Sequence, residues 1–233
     1  MDKHEWVELQ VEDGTRMRAW TAMPAAGWRR GLLLFQEAFG VNPHIRDVAM
    51  RFSRQGYSVI APELYHRTAP GFEAGYDNFA ACQEHFQALT PEGMAADISA
   101  AHAWLAARHG LNTHLAAVGF CLGGRVAFLA NTLLPLRAAV SFYGGGMQPL
   151  LGRVASLAGP MLFFWGERDT HIPPEQRRPV ADAMLKAKKP FTMTEFSEAG
   201  HGFFCDARPS FHAASARQAW ALTQSFLDEC FNA

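Results

Sequence analysis

Several things are scarce in this sequence, and each scarcity closes off a class of function. The 233 residues contain no apolar run long enough to cross a bilayer, and the opening "MDKHEWVELQVEDG" has no apolar segment behind a basic start. A soluble, cytoplasmic protein without a membrane partner is expected. Charge of either sign is not in excess: the formal net charge is -1 and only 18% of residues are charged, which leaves no basic footprint for nucleic acid. Cysteine is sparse, and Cys82, Cys121, Cys205 and Cys230 are too scattered for a disulfide framework or a C-x-x-C zinc pair. Histidine is more plentiful but never forms H-E-x-x-H, and G-x-G-x-x-G is missing after the first parallel strand. No metal and no cofactor is therefore expected. No linker rich in Pro, Gly or Ser divides the chain, so a single domain over residues 1–233 is the reading, as a monomer or homodimer acting on a small molecule.

What is present is a repeated alternation of strands and helices. "HEWVELQV" and "TRMRAWTAM" flank Asp13-Gly14, a pair suited to the positive φ angles of a hairpin turn. "GLLLFQ" and "YSVIAPEL" are short apolar runs of the kind found in strands covered on both faces, and "PHIRDVAMRFSRQG" between them reads as a helix that starts at Pro43 and stops at Gly56. Phe79, Cys82, Phe86 and Leu89 fall on one face of a further helix, and Thr90-Pro91 caps another that runs to Gly110. The strands "HLAAVGF", "LRAAVSFYGG", "PMLFFWGERD" and "PFTMTEF" follow. Helices lie in "LGGRVAFLANTLL", in "PEQRRPVADAMLKA", where Pro179 should limit or bend the helix, and in the C-terminal segment. This pattern predicts an α/β fold: a mostly parallel sheet with helices on both faces and an antiparallel hairpin at the N-terminus.

In such sheets the chemistry gathers beyond the carboxyl ends of the strands. Cys121 sits where "HLAAVGF" gives way at once to a helix, with Gly119 before it and Gly123-Gly124 after it. A turn that sharp strains its central residue and crowds its neighbours, and it presents the side chain beside a helix N-terminus that favours thiolate. A lone cysteine is ordinarily a small buried hydrophobe. Here its setting is that of a nucleophile elbow. A thiol nucleophile needs a base, and the base needs an orienting group. Asp169 ends the strand "PMLFFWGERD" and His201 sits between glycines in "SEAGHGFF", in the chain order of an α/β-hydrolase triad. Singly, each would be an ordinary turn residue. His171 is the rival base, but it lies too close to Asp169 in sequence and reads as a loop residue. The N–H groups of Leu122 and Ala38 are the candidate oxyanion donors.

Four stretches together, "GFCLGG", "LLLFQEAFGVNPHIRDVAMRFSRQGYSVIAPELY", "WGERDTHIP" and "AGHGFF", resemble the dienelactone hydrolase (carboxymethylenebutenolidase) family across almost the whole chain. The resemblance implies an α/β-hydrolase fold and a Cys-His-Asp triad on Cys121, His201 and Asp169. It also gives Glu37 a part, as the carboxylate that partners the resting thiol until substrate binds. The family's dienelactone-cleaving members hold a substrate carboxylate with two arginines. "GFEAGYDNFAACQEHF" offers none, leaving Arg208 after the histidine and Arg67 from a neighbouring position as candidates. Tyr143 and Phe203 are candidate aromatic pocket residues. The expected activity is hydrolysis of an ester or lactone, with an anionic dienelactone itself unsupported. The alternatives are a broad carboxylesterase or thioesterase, and a non-catalytic protein with an oxidisable thiol.

Overall fold

A computed structural model describes residues 3–25, 30–109 and 114–232. Gly110, the expected stop of one helix, lies outside them. The chain forms two compact units, residues 1–116 and 117–233, whose border falls inside a strand.

The first unit opens on the expected hairpin. β1 (Lys3–Gln10) pairs antiparallel with β2 (Arg16–Met23), closing at Gln10 opposite Arg16. Gly14 takes a φ of 85° and the Thr15 N–H donates to Asp13 Oδ1 at 2.9 Å, which lets the chain reverse over so few residues. β2 pairs antiparallel with β4 (Tyr57–Pro62), and β3 (Arg30–Phe35) runs parallel to β4, giving the order β1-β2-β4-β3. Leu32, Leu33, Leu34 and Phe35 are all buried, as a strand covered on both faces requires. α1 (Pro43–Arg54) and α3 (Pro91–His109) pack against these central strands. α2 (Phe79–Gln87) buries Cys82, but Phe79 is 51% exposed, contrary to its expected place on the same covered face. Phe79, the first residue of that helix, keeps one edge against the Phe39 ring, with centroids 6.3 Å apart, and leaves the rest to solvent.

The second unit is built around β5 (Leu115–Phe120), β6 (Ala138–Phe142), β7 (Met161–Gly166) and β8 (Phe191–Phe196), in that order, with β6, β7 and β8 parallel. Every residue of β5, β6 and β7 is buried. α4 (Leu122–Leu133) packs on β6, and α6 (Ala213–Asn232) on β6 and β7. Three details depart from expectation. β8, which reads as a strand with one covered face, ends the strand order and has no fully buried residue. α5 (Pro174–Lys186) continues through Pro179, which withholds one N–H from the ladder without ending the helix. Gln148–Ser156 forms a 3-10 helix that no periodicity had marked.

Candidate active site

The second unit brings Cys121, His201 and Asp169 together. Cys121 bridges β5 and α4 with φ 52° and ψ -113°, a region that side-chain-bearing residues rarely occupy. The turn is held from both sides: the Cys121 N–H donates to the Phe142 carbonyl at 3.0 Å, and the Gly124 N–H donates to the Cys121 carbonyl at 3.0 Å. Glycines make the bend possible. A Cβ on Gly119 would overlap the carbonyl of Gly123, and one on Gly124 would lie 2.6 Å from Ser141 Oγ and 2.8 Å from the Gly144 backbone. The half-buried, free thiol thus crowns the junction at the first turn of α4. Leu122 opens that helix, so its N–H has no carbonyl within the helix to bond.

His201 completes the line. Its ring hydrogen-bonds Cys121 on one side, and its Nδ1 lies 2.8 Å from Asp169 Oδ2 on the other. The second oxygen of Asp169 accepts N–H bonds from His171 at 2.8 Å and Ile172 at 3.1 Å, so this carboxylate is fixed at both ends. Burial opposes its ionisation, but the His201 hydrogen bond and charge and the two N–H donors outweigh it and hold the Asp169 carboxyl below its ordinary range. Burial likewise opposes charge on the imidazole. The negative charge of a Cys121 thiolate, with hydrogen bonds to Asp169 and Cys121, overcomes it and pushes His201 up to about 10. Sulfur on one side and carboxylate on the other thus both favour the charged form of the imidazole.

Close backbone approach makes this geometry possible. A Cβ on Gly166, at the end of β7, would overlap the Ala199 carbonyl, and the Arg168 N–H donates to that same carbonyl at 2.9 Å. The loop carrying Asp169 is thereby stitched to the loop carrying His201. His171 is exposed, its ring edge-on to His201 with centroids 5.1 Å apart, while its backbone serves Asp169.

The remaining candidates fare differently. The Tyr143 ring meets His201 edge-on at 5.1 Å and Phe203 at 5.4 Å, but Tyr143 and Phe203 are both wholly inaccessible. In this structure they form the packed wall behind the imidazole. Arg67 is engaged by other acids. Its Nε donates to Asp13 Oδ2 at 2.8 Å, and its Nη1 and Nη2 donate to the two oxygens of buried Asp97 at 3.0 and 2.8 Å. A fork already engaged by two carboxylates has no face left for a third. Arg208 lies against Gly202, whose φ of 75° and missing Cβ leave room for the guanidinium beside the residue after His201. Glu37 and Ala38 lie in the first unit, buried in the segment after β3. The part suggested for Glu37 rests on the family resemblance, and that for Ala38 on the fold pattern.

A sequence profile described as the dienelactone hydrolase family matches residues 17–231. The chain belongs to the dienelactone hydrolase family. Carboxymethylenebutenolidase of Pseudomonas putida is 29% identical to it over 226 residues, covering 96% of this chain and 95% of that protein. A Synechocystis sp. protein provisionally named carboxymethylenebutenolidase is 33% identical over 207 residues, 84% of each chain. A crystal structure from Klebsiella pneumoniae subsp. pneumoniae, provisionally named a dienelactone hydrolase, matches with a TM-score of 0.88 at 29% identity, covering 98% of this chain and 99% of that one. The fold is that of the dienelactone hydrolase-like α/β-hydrolases, and the chain is a hydrolase of that family. No helix among the described residues is long and apolar enough to cross a membrane.

Sequence reasoning passed over Arg177, Glu167 and Glu195. Arg177 is buried on α5 and forms ion pairs with Glu167, just after β7, and Glu195, on β8. An arginine beside a second arginine on a polar helix carries no signal of burial in the sequence itself.

Proposed function

We propose that this chain hydrolyses an ester or lactone through a covalent thioester on Cys121. The Cys121 thiolate attacks the carbonyl carbon and forms the C–S bond, while the carbonyl oxygen takes up the negative charge near the Leu122 N–H at the start of α4. As the tetrahedral adduct collapses, the ester C–O bond breaks and the His201 imidazolium gives its proton to the leaving alkoxide. Neutral His201 then takes a proton from water as the hydroxyl oxygen adds to the thioester carbon. The C–S bond breaks, the carboxylic acid product leaves and the thiolate-imidazolium pair is restored. Asp169 holds the imidazole in one tautomer and orientation throughout.

The observation supporting this reading is the unbroken line from a strained cysteine at the N-cap of α4 through His201 to a doubly anchored Asp169. The family membership supports hydrolysis, and the relatives' names point to lactone substrates for those proteins. The test is Cys121→Ala assayed on p-nitrophenyl acetate and on a cyclic enol lactone. We expect kcat to fall roughly a thousandfold or more with near-UV circular dichroism unchanged. Parental turnover in that variant defeats the proposal, and the ratio of the two parental activities ranks ester against lactone.

A further inference from the structure

We propose that Arg177 is a positioning residue for the Asp169–His201 pair, a reading that rests on the triad just described: its buried guanidinium bridges Glu167 and Glu195 and sets the ends of β7 and β8 against each other. The Arg177 side chain is 2% exposed. Its Nη1 donates to Glu167 Oε1 at 2.8 Å and its Nη2 to Oε2 of the same carboxylate at 3.3 Å, while Nη1 also lies 3.2 Å from Glu195 Oε1. Glu167 follows the last residue of β7 and precedes Asp169 by one turn of loop. Glu195 stands next to the last residue of β8, from which the chain leads on to His201. A single planar fork therefore grips the roots of both loops.

The three side chains influence one another's ionisation. Glu167 and Glu195 hydrogen-bond each other. The Arg177 hydrogen bond, aided by that with Glu195, holds Glu167 well below the ordinary range, whereas the hydrogen bond to Glu167, then burial, pushes Glu195 up. Both carboxylates thus meet on one guanidinium, Glu167 in a bidentate pair and Glu195 through a single oxygen. Arg178, on the same helix, adds positive potential, and the nearby Arg168–Glu198 pair joins the same two loops at the surface. Backbone bonds from Glu167 N–H to the Phe196 carbonyl and from Arg168 N–H to the Ala199 carbonyl, both 2.9 Å, tie the loops as well. The side-chain bridge fixes the angle at which they leave the sheet. A small error in that angle displaces the imidazole from the sulfur, and such displacements are costly to catalysis.

The experiment compares Arg177→Met, Arg177→Lys, Glu195→Ala and Glu195→Gln with the parent, by kcat and KM on p-nitrophenyl acetate and by NMR titration of the His201 imidazole without substrate. Arg177→Met is expected to lower kcat about tenfold to a hundredfold, with KM little changed and His201 titrating lower than in the parent. Arg177→Lys should recover part of both. Glu195→Gln should match the parent, because its amide N–H can donate to Glu167 while its carbonyl accepts from Arg177. Glu195→Ala leaves Arg177 paired with Glu167 and should shift in the same direction as Arg177→Met, which keeps the test decisive if the latter does not fold. A folded Arg177→Met or Glu195→Ala with parental kcat and parental imidazole titration overturns the inference, as does Glu195→Gln impaired as deeply as Glu195→Ala. The titration is read on resting protein, so it judges the bridge separately from whether Cys121→Ala abolishes turnover.

Discussion

At the scale of single residues, the elbow depends on atoms that are absent. A Cβ on Gly119 would meet the backbone of Gly123, which cannot swing aside as a flexible side chain would. Gly119→Ala is therefore expected to cost about 2–3 kcal/mol of stability, read from the urea midpoint, with a matching loss of activity as the turn is forced open. The glycines around Cys121 were visible in the sequence for this reason: a pattern of small residues at fixed offsets records a steric demand. Arg67 and Arg177 show the opposite case. What each guanidinium does depends on partners remote in sequence, Asp13 and Asp97 for one and Glu167 and Glu195 for the other, and no local pattern announces such meetings. Tyr143 and Phe203 were readable as aromatic and near the site, but whether a ring faces solvent or core is settled only by packing.

At the scale of elements, the starts of helices carry much of the specification. Asn42 caps α1, its Oδ1 accepting the Ile45 N–H at 3.2 Å while its Nδ2 donates to the Tyr76 hydroxyl at 3.0 Å. Asn42→Ala should destabilise the protein by about 1 kcal/mol through the lost cap alone. Asn42→Asp, which keeps the accepting oxygen, should restore the larger share in the same denaturation assay. Hairpin, central strands and α1 were legible because turn residues, apolar runs and caps all agree there. The strand β8 was legible from its alternation, whereas the 3-10 helix at Gln148–Ser156 was not, since it has no periodicity that sets it apart from a loop.

At the scale of the whole molecule, the triad links stability to pH. His201 is raised from an ordinary 6.5 to about 10, so its contribution is complete below about pH 6.5 and is lost as pH rises through about 10. Asp169 is depressed, so its contribution is present above the ordinary carboxyl range and is lost as pH falls through its lowered value. Plotted against pH, the urea midpoint should fall steadily from about pH 6.5 toward about 10, and fall again in acid as Asp169 is protonated. Cys121→Ala removes the charge that does most to raise His201, so its alkaline decline should be smaller and end at a lower pH while the acid decline stays in place. A variant whose alkaline limb coincides with the parent's would contradict this coupling.

The twisted torsion at position 121 also bears on any attempt to breed a hardier version of this protein. Glycine alone sits at ease there, so selection for heat tolerance with no demand for turnover would favour discarding the sulfur. Screens meant to toughen the scaffold must keep a functional assay in every round, or their winners will be inert.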